Sequence, residues 1–220
     1  RGLGDVYKRQ LWQSGNKYRV SAHDADMKET EAIYGQTDSG MTIIEGHLFL
    51  NGKKPIQHRS SYGLGEVIKA ALDNHTEHLV ISLGGIGSFD GGAGMLQALG
   101  ATFYDDEAQI VDMRKGADLI KYIRRIDLSG VHPQLTKVNI QLMSDFSSRL
   151  YGKKSEIMQT YESLELSQNE AAEIDNLIWY FSELFKNELK IAMGPIERGG
   201  AGGGIAAVLN SCLLYTSPSP

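Results

Sequence analysis

Cysteine is nearly absent from the 220 residues. Cys212 stands alone, which excludes an internal disulfide and leaves no material for a cysteine zinc site. Long apolar runs are missing as well. No stretch approaches the roughly 20 consecutive apolar residues that a membrane span needs, and no basic start leads into the apolar segment that marks a chain for export. Neither sign of charge dominates: 22 Lys and Arg against 27 Asp and Glu leave a net charge of −5. That balance offers no field to attract nucleic acid, so any anionic ligand must be held by local donors. What remains is ordinary for a globular protein, 41% apolar and 22% charged, in a chain long enough for a real core.

The two ends differ from the middle. The first ten residues, RGLGDVYKRQ, lack an initiator Met, and the last ten, SCLLYTSPSP, follow abruptly after a helical Ala-Ala-Val-Leu run. Both read as translated adapter sequence, with a genuine disordered tail as the alternative. The expected division is therefore a non-native leader over 1–10, an α/β domain over 11–210 truncated at both ends, and a non-native tail over 211–220. Without Cys212 the middle holds no cysteine, which fits a reducing, cytoplasmic compartment.

Periodicity within the middle predicts alternating elements. Short β-like runs at Tyr18–Val20, Ala32–Tyr34 and Met41–Ile44 are broken by turn residues at Asp38–Gly40. Ser60 and Ser61 can cap a helix through Leu72. His78–Leu83 is a solid apolar run of strand length, as in a parallel sheet buried on both faces. Met95–Leu99 reads as helix, and Ala101–Tyr104 and Val138–Leu142 read as strands with a loop-rich stretch between them. Ser167 and Glu170 form a capping box ahead of an apolar face made by Ile174, Leu177, Ile178, Phe181, Leu184, Phe185 and Leu189, with Trp179 off its centre.

Two glycine-rich segments stand out. Leu83–Met95 runs from the buried strand into a helix, so its glycines allow a sharp turn and close approach to a ligand, and free amides at the helix start suit phosphate or carboxylate. Asp90 lies among them. A carboxylate there can hold Mg²⁺ or accept a proton from a substrate hydroxyl; equally, it can cap the helix while the glycines pack against the sheet. Neither the P-loop nor the dinucleotide fingerprint fits this spacing. The second segment, Gly199–Ala207, follows Arg198 and reads either as an anion contact or as tight helix packing. His75 and His78 sit where a helix end favours imidazole, His47 beside Glu45 reads as a satisfied, partly buried histidine with substrate contact as the lesser alternative, and no hydrolase triad can be read from spacing.

In order and spacing, the strings SYGLGEVIKAALD, LVISLGGIGSFDGGAGMLQALGATFYDD, IDLSGVHPQL and GGAGGGIAAVL are similar to bacterial glycerate kinases. The resemblance covers roughly Lys17 to Leu209, and Asp90 to Ala101 is its most specific part. It implies a two-domain α/β enzyme, with this chain, a mixed sheet with helices, forming mainly the inserted second domain. The implied activity is Mg-ATP-dependent phosphorylation of a hydroxyl of D-glycerate. The implied roles are Asp90 and Asp145 as catalytic and Mg²⁺-binding residues, and Gly84, Gly85, Ser88, Gly91, Gly92, Gly202 and Gly203 around the nucleotide.

The implied partner is a small hydroxy acid, a homodimer is allowed, and neither nucleic acid nor membrane is expected. Departures exist: Ile86 and Phe89 replace polar residues of the family's glycine loop, and Ser147 and Ser148 replace an Asp-Asn pair. These leave a divergent, non-catalytic relative as the alternative. On this reading Asp90→Asn should cut turnover while sparing the fold.

Overall fold

The computed structural model describes residues 15–84, 87–144 and 147–215. Gly85, Ile86, Asp145, Phe146, the leader over 1–10 and the side chain of Cys212 lie outside the described residues.

Strands β1 (Gly15–His23), β2 (Glu29–Thr37) and β3 (Met41–Glu45) form an antiparallel meander. The short helix α1 (His47–Leu50) follows, then α2 (Tyr62–Asp73), which packs against β1, β2 and β3. The helix returns the chain to β4 (His78–Ser82), which pairs parallel to β3 in the register Ile43↔Val80. Its middle residues Leu79, Val80 and Ile81 are all buried, as an unbroken apolar run at strand length predicts. Helix α3 (Ala93–Ala98) leads to β5 (Thr102–Tyr104) and β6 (Arg125–Asp127), an antiparallel ribbon, and then to β7 (Asn139–Met143). Pairing parallel to β4, β7 completes a five-stranded mixed sheet in the order β1-β2-β3-β4-β7. The mixed α/β class read from the sequence therefore holds. Strand β6 lies inside the stretch that periodicity leaves as loop, because three residues are too few to show a period.

The C-terminal part is helical: α4 (Glu156–Thr160), α5 (Gln168–Leu189) and α6 (Ile205–Tyr215). The capping box of α5 is present in both directions, Ser167 taking the Glu170 amide and Glu170 taking the Ser167 amide. Its apolar stripe enters one contiguous core with the sheet and α2. Phe181 packs edge-on to Phe103 of β5 at 5.7 Å and to Phe185 at 5.1 Å, which is how the ribbon is fastened to the helix. Trp179, one third of a turn or more away, is 47% exposed. Helix α6 continues to Tyr215, past the boundary at 210. No helix among the described residues is long and apolar enough to cross a membrane.

Phe181→Ala should lower the unfolding free energy by about 3–5 kcal/mol, whereas Trp179→Ala should change it by less than about 0.5 kcal/mol. Urea denaturation of both variants checks the assignment of the buried face.

Candidate functional site

Because β1 is antiparallel to β2, and β2 to β3, strand β1 runs in the same direction as β3, β4 and β7. Four carboxyl ends, at His23, Glu45, Ser82 and Met143, therefore meet at one edge of the sheet. This is the edge at which open α/β sheets bind ligands. Glu45, Ser82 and Met143 lie side by side in register, and all three are half-buried.

Backbone bonds lace the loops beyond them. The Gly46 amide donates to the Ser82 carbonyl at 2.9 Å, Leu83 to Met143 at 2.7 Å, and Gly87 to Leu50 at 3.1 Å. Arg59 Nη1 donates to the Gly87 carbonyl at 2.9 Å. Asp26, in the loop after β1, accepts the Lys53 and Lys54 amides at 2.7 and 3.0 Å. Burial works to raise its carboxyl, but those two amides and the charges of Arg59 and Lys54 outweigh it and hold Asp26 below the ordinary aspartate value.

Asp90 sits at the heart of the first glycine segment and is 1% exposed. Its Oδ2 accepts the Ser61 amide at 2.8 Å, the Ser61 hydroxyl at 2.9 Å and the Gly94 amide at 3.1 Å, while Oδ1 accepts the Gly92 amide at 3.0 Å. Ser61 Oγ in turn accepts the Met95 amide at 2.9 Å. One carboxylate thus ties the N-terminus of α2 to that of α3. Burial nevertheless pushes its pKa up, against these four donors. The capping alternative describes this geometry, and it goes further than expected, since Ser61 serves Asp90 instead of capping its own helix.

The second glycine segment folds onto the first. Gly91 N donates to the Gly203 carbonyl at 3.0 Å. Gly91, Gly92, Gly202, Gly203 and Gly204 all have positive φ, a region open to glycine at little cost. A Cβ on Gly204 would stand 2.7 Å from the Gly91 Cα, and one on Gly203 would collide with the Ser88 carbonyl. Gly203 N donates to Glu156 Oε2 at 3.2 Å, and the Gly202 amide also reaches that carboxylate. Nearby, both oxygens of Asp175 accept the Gly152 amide, at 3.0 and 2.8 Å. Burial raises the pKa of Glu156 and of Asp175.

Of the residues expected from sequence to touch the nucleotide, Gly84 lies half-buried just past the end of β4. The amides of Gly91, Gly92, Gly202 and Gly203 all have partners inside the protein. Ser88 is buried, and its hydroxyl has no partner among the described residues; the same is true of Ser148. Asp145 and Gly85 lie outside the described residues. Phe89, read as an apolar intruder at a ligand position, is 1% exposed and belongs to the core. Among the described residues no group of three His, Cys, Asp or Glu could hold a metal ion.

Sequence reasoning missed Asp26, Glu156 and Asp175. Ser155 followed by Glu156 carries the signal of a helix start, but nothing local indicates that the glutamate turns inward.

Asp90→Asn would set an amide NH₂ against at least one of the N–H donors, so it should destabilise the fold by about 1–3 kcal/mol, measurable by denaturant titration. This replaces the expectation that the substitution spares folding. Asp26, with its folded pKa lowered, contributes stability above the ordinary aspartate value of 3.8 that is lost as pH falls through the folded value. Asp26→Asn should flatten the decline of Tm between neutral pH and about pH 3, as followed by circular dichroism.

The model of the glycerate kinase family matches residues 4–216. A glycerate kinase from Halalkalibacterium halodurans is 30% identical over 186 residues, 81% of this chain and 48% of that protein. A glycerate 2-kinase from Escherichia coli is 30% identical over 209 residues, 94% of this chain and 53% of that protein. The chain spans about half the length of the curated relatives it matches. A solved structure described as glycerate kinase 2, from Salmonella typhimurium LT2, superposes with a TM-score of 0.87 at 25% identity, covering 96% of this chain and 57% of that one. With sequence and backbone agreeing along nearly its whole length, the chain belongs to the glycerate kinase family.

Proposed function

We propose that this chain, together with the remaining half of its relatives' length, transfers the γ-phosphoryl of ATP to a hydroxyl of D-glycerate. The observation that carries the reading is the family match over residues 4–216. The relatives' names, glycerate kinase and glycerate 2-kinase, supply the acceptor. The substrate hydroxyl oxygen attacks the γ-phosphorus, the bond to the β-phosphate oxygen breaks, and a carboxylate takes the hydroxyl proton. In such reactions the protein mainly positions the reactants and neutralises developing charge. The rim at the carboxyl ends of β3, β4 and β7, with Gly84 and the half-buried Glu45 and Ser82, is the surface we assign to the ligands.

Mg²⁺ accompanies ATP in this class of reaction. Asp90 does not fit as its ligand, because its oxygens already accept four hydrogen bonds from the protein. We assign Asp90 the task of fixing the glycine turn, and Asp145 the contact with the metal or the acceptor hydroxyl. ATP as donor and the scarcity of cysteine accord with a cytoplasmic setting, and a homodimer is compatible with this reading.

Incubation of the full-length protein with Mg-ATP and D-glycerate should yield ADP and a phosphoglycerate, resolved by ³¹P NMR. Asp145→Asn should lower turnover by about 10²–10⁴-fold. ADP release that does not depend on glycerate, or none at all, would refute the assignment.

A further inference from the structure

Gly202, Gly203 and Gly204 are three consecutive residues in the left-handed region, with φ of +75°, +61° and +102°. Successive amides in such a turn form a concavity that binds anions. The turn also opens α6, whose dipole favours negative charge at this end; the amides of Gly204, Ile205, Ala206 and Ala207 are themselves bonded to carbonyls of Gly199, Gly200, Ala201 and Gly202, which leaves those of Gly202 and Gly203 for an anion. A negative group is present there: Glu156 is 6% exposed, and the Gly203 and Gly202 amides both donate to its carboxylate. Among the described residues no lysine or arginine forms a salt bridge with it. Two further polar groups lie against the same segment. Ser148 Oγ, 97% buried and unpartnered among the described residues, would stand 2.7 Å from a Cβ on Gly200. Ser88, whose hydroxyl likewise has no partner among the described residues, presses its carbonyl on Gly203. A buried carboxylate held by convergent amides with no countercation has the chemistry of a bound anion.

We propose that the Gly202–Gly204 turn is an anion site whose resident ligand is the chain's own Glu156 carboxylate. The class of free ligand it would take is a small carboxylate. The part of the glutamate beyond its Cβ corresponds to acetate, so removing that part should leave a site of acetate size. While Glu156 is in place, the turn is closed to nucleotide phosphate. This inference does not depend on the phosphotransfer reading, and its test reads stability.

Glu156→Ala in the full chain should lower Tm by about 5–10 °C. Sodium acetate at tens of millimolar should restore at least half of the loss, while sodium chloride at equal ionic strength and neutral acetamide should not. Acetate should leave the wild type and Phe181→Ala unchanged. An undiminished Tm, or equal recovery with chloride or acetamide, or equal recovery in Phe181→Ala, would overturn the proposal. If Glu156→Ala fails to fold, Glu156→Gln keeps the volume and removes the charge. The Gly203 amide proton should then move upfield in the NMR spectrum, and an unmoved proton overturns the proposal.

Discussion

Buried carboxylates hold the working edge of this molecule together. Asp26 grips the amides of the Lys53–Lys54 loop, Asp90 those of two helix starts, Glu156 those of the second glycine turn, and Asp175 that of Gly152. Each is less than a tenth exposed. Loops at the ends of a parallel sheet carry many backbone N–H groups that secondary structure cannot satisfy. An ionised oxygen accepts several of them at once and more strongly than a neutral acceptor. The cost is desolvation, and three of the four pay it visibly: burial raises the pKa of Asp90, Glu156 and Asp175. Asp26 differs because the Lys53 and Lys54 amides, helped by the charges of Arg59 and Lys54, outweigh its burial.

This arrangement changes how the glycine-rich segments are understood. Glycine clusters followed by a helix invite a phosphate, and the chain has two of them. Their amides are largely occupied, and the two segments press backbone to backbone, with Gly91 N bonded to the Gly203 carbonyl. The missing side chains serve close approach between two turns of the protein itself. Glu45, Ser82 and Gly84 lie half-buried beside the carboxyl ends of the strands.

Much of the scaffold was legible in the residues. The β4 run announced a strand buried on both faces and the Ser167–Glu170 box announced α5, while the 47% exposure of Trp179 was not announced. The Asp90–Ala101 string led to the family. The site was less legible, because the partners of its groups are distant in sequence. Asp90 and Ser61 are 29 residues apart, and Glu156 and Gly203 are 47 apart. Phe89 misled for the same reason: a loop position looks exposed until the fold buries it. Asp26 gave no warning, since an acidic residue in a turn normally faces water.

Contact between the two glycine bends has a mechanical consequence. Side chains between neighbouring loops can absorb small shifts by changing rotamer. Here a Gly204 Cβ would come within 2.7 Å of the Gly91 Cα, and no such cushion exists. Any displacement of the bend after β4 must push directly on the bend before α6. The two behave as one stiff plate spanning the middle and the end of the chain, so strain introduced at either is felt at both.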